Sequence, residues 1–248
     1  MGALHEGHLA LVRRARADSV AVAASVFVNP LQFAPSEDYT RYPRDAQGDQ
    51  AKLAQAGVDV LFAPSPASMY PPDFSTSIDT GPIGDVFEGA IRPGHFRGVA
   101  TVVSKLVNIV RPDALYLGQK DAQQTAVLRR MVRDLEIPIN VVIVQTEREA
   151  DGLAMSSRNA YLSPEQREAA PSLHHALQAV RLAMAGGRSK ADAIAAARAR
   201  LHPLAQLDYI DVVDANTFNP IETLSPPAFV IGAARFGTTR LLDNLWIE

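Results

Sequence analysis

Apolar, strand-like runs alternate with helix-patterned stretches along the first two-thirds of the chain, and this alternation most constrains the fold. Val20 to Val28 is apolar and β-rich nearly throughout, as expected of a strand covered on both faces. Asn29-Pro30 ends it. Asp45 to Ala56 then reads as a helix stopped by Gly57, and Val58 to Phe62 as the next strand. Pro64 to Pro72 is dense in proline and reads as loop. A helix follows from Phe96 to Val110, closed by Arg111-Pro112, then a short strand from Ala114 to Leu117. Gly118-Gln119-Lys120-Asp121 turns into a helix reaching Leu135, and Ile139 to Val144 is again a buried strand. Strand, helix, strand in repetition predicts an α/β fold: a Rossmann-like parallel sheet with helices on both faces. Ligands in such folds bind beyond the carboxyl ends of the strands, where Asn29, Gly118 and the Ser156 region follow.

The pattern changes near Tyr161. Ser163-Pro164-Glu165-Gln166 has the makings of a capping box with proline in the first turn. Alanine-rich helices follow to Leu201, broken at Gly186-Gly187. Three strand-like runs come last, Leu207 to Val213, Phe229 to Ala234 and Thr239 to Leu242. The expected organisation is a ligand-binding domain over residues 1–160 and a smaller α+β domain over 161–248.

Bulk properties narrow the function. The 248 residues are 47% hydrophobic, enough for a substantial core. Lys and Arg number 24 against 27 Asp and Glu, a net charge of −3, which argues against a dedicated nucleic-acid binder. With no cysteine, thiolate catalysis, disulfides and Cys-type zinc sites are excluded. No apolar run is long enough to span a bilayer, and no basic-then-apolar start marks a signal peptide, so a cytoplasmic protein is expected.

Two clusters carry chemistry. His5-Glu6-Gly7-His8 sits where the helix pattern of Leu9, Leu11, Val12 and Ala15 begins. Two histidines three apart share one face of a helical turn. Backbone N–H groups at a helix start point at anions, and Gly7 lets a phosphate come close. Downstream, Met155-Ser156-Ser157-Arg158-Asn159 sets two hydroxyls beside a fixed cation, suited to a segment that closes on a polyphosphate. Lys120, after a strand and before a helix, can neutralise charge on the same phosphates. Gln32 and Gln124 are candidates for a small polar substrate. The loops Tyr42-Pro43-Arg44 and Arg92-Pro93-Gly94-His95 can cover a site, whereas Glu147-Arg148-Glu149 reads as a solvated edge. Against these stand plain readings: a histidine cap, a surface turn, a solvated lysine, ordinary helix glutamines. Zinc is not indicated, because the spacing is not His-Glu-x-x-His.

Taken together, Met1-Gly2-Ala3-Leu4-His5-Glu6-Gly7-His8, Phe27 to Phe33, Tyr42-Pro43-Arg44, Gly118 to Gln124, Arg148 to Asn159 and Thr239 to Asn244 resemble the pantothenate synthetase (pantoate–β-alanine ligase) family of the nucleotidyltransferase-like Rossmann superfamily. The resemblance implies condensation of pantoate with β-alanine, using ATP, through a pantoyl adenylate, with release of AMP and pyrophosphate. It implies an ATP site made from Met1, Gly2, His5, Gly7, His8, Gly118, Lys120, Asp121, Met155, Ser156, Ser157 and Arg158, with catalysis resting on His5, His8, Lys120, Ser156, Ser157 and Arg158. Gln32, Gln124, Asn29 and Tyr42 would serve pantoate and β-alanine. Mg²⁺ would ride on the ATP oxygens rather than on a protein cage. A cytoplasmic homodimer with the C-terminal domain as lid is implied as well. The alternatives are another nucleotidyltransferase of the superfamily and a non-catalytic nucleotide-binding module. In the family a strand and a Pro-Thr pair lead into the first motif. Here Met1 opens the chain, so the first domain is expected to lack its first strand unless preceding residues or a partner chain supply it. Ala122 stands where the family often has an aromatic residue.

Overall fold

The computed structural model describes residues 2–34 and 39–248. By internal contacts the chain forms two units, 1–118 with 123–144, and 119–122 with 145–248.

The first unit opens with α1 (Glu6–Asp18), followed by β1 (Ala23–Ser25), α2 (Ala46–Gln55), β2 (Val60–Phe62) and a single turn, α3 (Pro66–Met69). A second single turn, α4 (Glu88–Ile91), precedes α5 (His95–Val110), β3 (Ala114–Gly118), α6 (Ala122–Asp134) and β4 (Asn140–Val144). β1 pairs in parallel with β2, from Ala23 opposite Val60 to Ser25 opposite Phe62. β3 pairs in parallel with β4, from Ala114 opposite Asn140 to Gly118 opposite Val144. Helices flank these parallel pairs. Leu4, Val12, Ala24 and Leu53 bury one set of apolar faces, and Val99, Ala100, Leu117, Leu128, Met131 and Val132 bury the other.

Two expectations are corrected here. The run from Val20 to Val28 yields only the three residues of β1. Val20 is 98% exposed, because the Arg16 guanidinium binds the Ser19 carbonyl at 2.6 Å and the Asp59 carboxylate accepts from Val22 N at 2.7 Å, which holds the chain in a loop. After Ser25 one more ladder bond forms, Val26 N to Phe62 O at 3.0 Å, before β2 runs into Ala63-Pro64. The stretch from Pro64 to Pro72 is not all loop either. Ser65 accepts from Ser68 N at 3.1 Å and Pro66 takes the first helical position of α3, where a missing N–H costs nothing.

The second unit contains α7 (Pro164–Ala169), α8 (Pro171–Ala185), α9 (Lys190–Arg198), β5 (Ala205–Asp214), β6 (Ala228–Phe236) and β7 (Thr239–Ile247). The expected capping box forms: Gln166 N donates to Ser163 Oγ at 3.3 Å and Ser163 N to Gln166 Oε1 at 3.1 Å. The sheet is antiparallel in the order β5-β6-β7. Ala176, Leu177 and Val180 of α8 pack on Val212 and Val230 of the sheet, all at 0% exposure. Residues 145–160, which the sequence groups with the first domain, pack here instead, because Leu153 joins Ala169, Ala170, Leu173, Phe236 and Leu241 in one buried cluster.

Candidate active site

His5 is the N-cap of α1 and His8 is the third residue of the helix. Their rings lie 4.1 Å apart, centre to centre, tilted by 43°. His5 N donates to His8 Nδ1 at 3.3 Å. A ring nitrogen that accepts carries no proton, so neutral His8 keeps its proton on Nε2 and presents a donor there. The turn before the helix is set by a buried carboxylate. Asp49 of α2, 1% exposed, accepts from Ala3 N at 2.9 Å and Leu4 N at 2.6 Å. Lys52 Nζ binds the Leu4 carbonyl at 2.8 Å. Asp49 thereby holds Ala3 in its left-handed conformation, φ 51°. Gly2 is buried against Val28 and Val26, while Gly7 lies in the first turn of α1 beside both histidines. Met1 lies outside the described residues.

Asn29, 2% exposed, caps the short 3₁₀ turn Pro30–Gln32. Its Oδ1 accepts from Leu31 N at 3.2 Å and from Tyr70 OH at 2.7 Å. Its Nδ2 donates to Gly98 O at 3.0 Å and Gln32 Oε1 at 3.3 Å. Burial pushes the Tyr70 hydroxyl up to about 12, so it stays a donor across the neutral range. From α5 and the loop before it, His95 Nδ1 lies 2.8 Å from the Gln32 carbonyl, and Arg92 Nη2 donates to the same oxygen at 3.3 Å. The Arg92–His95 segment therefore braces Gln32. Phe33 carries Tyr42 edge-on at 5.8 Å, so Tyr42 belongs to this wall. Gln124 sits in the first turn of α6, partly buried. Its neighbour Gln123 is 4% exposed and ties down another loop, donating to Ile83 O at 2.9 Å and Val86 O at 2.8 Å.

The remaining candidates fall in the second unit, apart from Gly118, which ends β3 in the first. Lys120 Nζ stands 3.8 Å from Asp121 Oδ1, with the Asp121 side chain 51% exposed. Met155 closes a hairpin, its N–H donating to Glu147 O at 2.9 Å. The chain then enters a 3₁₀ turn, Ser157–Tyr161, capped by Ser156, whose Oγ accepts from Arg158 N at 3.3 Å. Lys120 and Ser156 line one recess together with Leu153, Leu173, His174 and Asp243. Arg148 corrects a sequence expectation. Glu147 and Glu149 are exposed, but the Arg148 guanidinium grips Asp243 with two bonds of 2.8 Å each. Their separation of 95 positions along the chain hid the pair. The available signal was an Asp-Asn pair inside the apolar run from Leu241 to Trp246.

The structure thus joins His5 with His8, Asn29 with Gln32, Tyr42 with Phe33, and Lys120 with Ser156. A family model described as pantoate-beta-alanine ligase matches residues 1–246. The chain belongs to the pantoate–β-alanine ligase family. Relatives in this family include the pantothenate synthetase of Roseiflexus sp. (strain RS-1), 54% identical over 251 residues that span 100% of this chain and 90% of the relative. That of Acidiphilium cryptum (strain JF-5) is 53% identical, over 99% of this chain and 88% of its own. Among solved structures, the pantothenate synthetase of Thermus thermophilus superposes with a TM-score of 0.96 at 53% identity, covering 99% of this chain and 90% of that one. The pantoate-beta-alanine ligase of Francisella tularensis, solved with beta-gamma ATP and beta-alanine, gives a TM-score of 0.81 at 34% identity, over 99% and 87%.

Proposed function

We propose that this chain condenses pantoate with β-alanine in two steps driven by ATP. A pantoate carboxylate oxygen attacks the α-phosphorus, the bond to the β-phosphate breaks, and pyrophosphate leaves. The amine of β-alanine then attacks the acyl carbon of pantoyl adenylate, the bond to AMP breaks, and the amine nitrogen sheds a proton. Neither step needs a protein nucleophile; the chain positions reactants and stabilises charge. The match to the ligase family over residues 1–246 is the observation that carries this reading.

His5 and His8 stabilise charge on the phosphates during attack, with His8 donating from Nε2. Gly2 and Gly7 leave room for the nucleotide, and Met1 joins them in the ATP-binding motif. Lys120, Ser156, Ser157 and Arg158 hold the phosphates and the departing pyrophosphate, with Met155 flanking them. Gly118 and Asp121 serve the adenosine. Gln32 and Gln124 bind pantoate, Asn29 and Tyr42 shape that wall, and β-alanine enters beside it. Mg²⁺ accompanies ATP. It would be carried on the ATP oxygens and would neutralise triphosphate charge; among the described residues no three His, Asp or Glu side chains are grouped to hold a metal. We extend the proposal to a cytoplasmic homodimer whose C-terminal domain acts as a lid. Among the described residues no helix is long and apolar enough to cross a membrane.

The test is product analysis with purified protein, ATP and Mg²⁺. AMP and pyrophosphate should form only when pantoate is present, and pantothenate only when β-alanine is added. ADP as sole nucleotide product overturns the reading, and pyrophosphate without amide favours another nucleotidyltransferase. In the same assay His8→Ala should slow pyrophosphate release by about 10²- to 10³-fold, as losing a preorganised donor does.

A further inference from the structure

Two adjacent residues near the C-terminus, Asp243 and Asn244, are polar, almost wholly buried (6% and 2% exposed) and outside the roles assigned above. Successive residues of a strand point to opposite faces, so the pair on β7 reaches in two directions. Asp243 accepts Arg148 Nη2 on Oδ1 and Arg148 Nη1 on Oδ2, both at 2.8 Å, with His174 Nδ1 3.1 Å from Oδ2. The Asn244 backbone N–H adds a bond of 2.7 Å to Oδ1. Asn244 Nδ2 donates to the carbonyls of Gln119 at 3.0 Å and Lys120 at 2.9 Å, and Asn244 Oδ1 accepts from Gln119 Nε2 at 3.2 Å. Arg148 completes the link by donating to Asn244 O and to Gly152 O, each at 3.0 Å.

Each direction ends at a proposed phosphate-binding segment. Asn244 clamps the backbone of Lys120 itself. Asp243 clamps Arg148, which opens the hairpin pairing Arg148 with Ala154, and that hairpin runs straight into Ser156-Ser157-Arg158. The hairpin turn is seated just as closely. Gly152 has φ +91°, and a Cβ there would stand 2.6 Å from the His174 ring. Ion pairs buried among apolar side chains are a poor source of stability, since apolar residues of equal volume do as well or better. A bidentate guanidinium–carboxylate pair does fix direction.

We propose that Asp243 and Asn244 are positioning residues that set the separation between Lys120 and Ser156–Arg158, so that the cation and the hydroxyls meet the same phosphates. The inference rests on the proposed ATP roles of those two segments. Neither residue touches ATP; both act through the backbone they hold.

The test compares wild type with Asp243→Asn and Asn244→Asp, each close to isosteric, in the pyrophosphate-releasing step well below the melting midpoint. For each variant the expected result is a fall in kcat/KM for ATP of about 10- to 100-fold, the scale of a displaced catalytic group. KM for pantoate should stay within about twofold, because Gln32 is braced by residues of the first unit. ATP affinity by calorimetry should weaken in parallel. Arg148→Lys, which keeps the charge and loses the fork, should reproduce the ATP defect with a smaller drop in melting midpoint, and it replaces Asp243→Asn should that variant not fold. ATP parameters equal to wild type in folded variants overturn the positioning role. So does a fall shared equally between ATP and pantoate, which marks general destabilisation. A wild-type protein that binds ATP without releasing pyrophosphate removes the ligase reading alone, and calorimetry of the variants still decides the positioning. A wild type that binds no ATP removes both.

Discussion

Asp243 shows how much a single buried group can determine. Burial pushes its pKa up, but the hydrogen bonds from His174 and Arg148 outweigh that and hold the carboxyl below the usual carboxylate range. A carboxylate whose pKa falls on folding adds stability above its unfolded value, about 3.9. That contribution is lost as pH drops through the lower folded value. Asp243→Asn should therefore melt well below wild type at neutral pH, and the gap should narrow on acidification below about pH 4. Melting curves across that range check it, and a gap independent of pH would remove the charge from the explanation. The histidine pair was legible in the sequence because its members lie three positions apart, a distance that local helix geometry controls. The Asp243–Arg148 pair was not, because its members lie 95 positions apart and only tertiary packing brings them together.

At the scale of elements, the sequence showed most clearly what short-range chemistry fixes. The capping box at Ser163 and Gln166 formed because all its donors and acceptors lie within four residues. β1 came out far shorter than its apolar run because strand length depends on a partner, and β2 supplies only three residues. The wall bearing Gln32 is likewise a matter of two elements meeting. α5 approaches the Pro30–Gln32 turn so closely that a Cβ on Gly98 would lie 2.2 Å from the Leu31 carbonyl oxygen. Backbone occupies that space, so neither side can step aside cheaply. Gly98→Ala should destabilise the fold by about 1–3 kcal/mol, the usual cost of overpacking. It should also raise KM for pantoate more than KM for ATP, because the displaced turn carries Gln32. Denaturant unfolding and steady-state kinetics measure the two effects. An alanine variant as stable as wild type with both KM values unchanged would show that the turn yields freely.

At the scale of the molecule, alternating strand and helix signals were enough to indicate a parallel α/β unit followed by an α+β unit, but not how evenly the chain is stabilised. In the second unit, β6 is bonded on both edges, with Ala228 to Phe236 matched to β5 and to β7. Every residue of β6 except Arg235 is buried. In the first unit, β1 and β2 share a three-residue parallel ladder, and Val60 on β2 is 58% exposed. Local opening costs least where ladders are short and side chains reach water. Parallel pairing is also slightly weaker per residue than antiparallel pairing. Hydrogen exchange in the absence of ligand should therefore be slowest in β6. Amides of β1 and β2 should exchange at least about 100-fold faster, a gap of roughly 2.7 kcal/mol in opening free energy. α8 should follow β6, because Ala176, Leu177 and Val180 are sealed against its sheet. Equal protection in β1 and β6 would mean that both units open only in one global event, and the difference in ladder length would then have no energetic consequence.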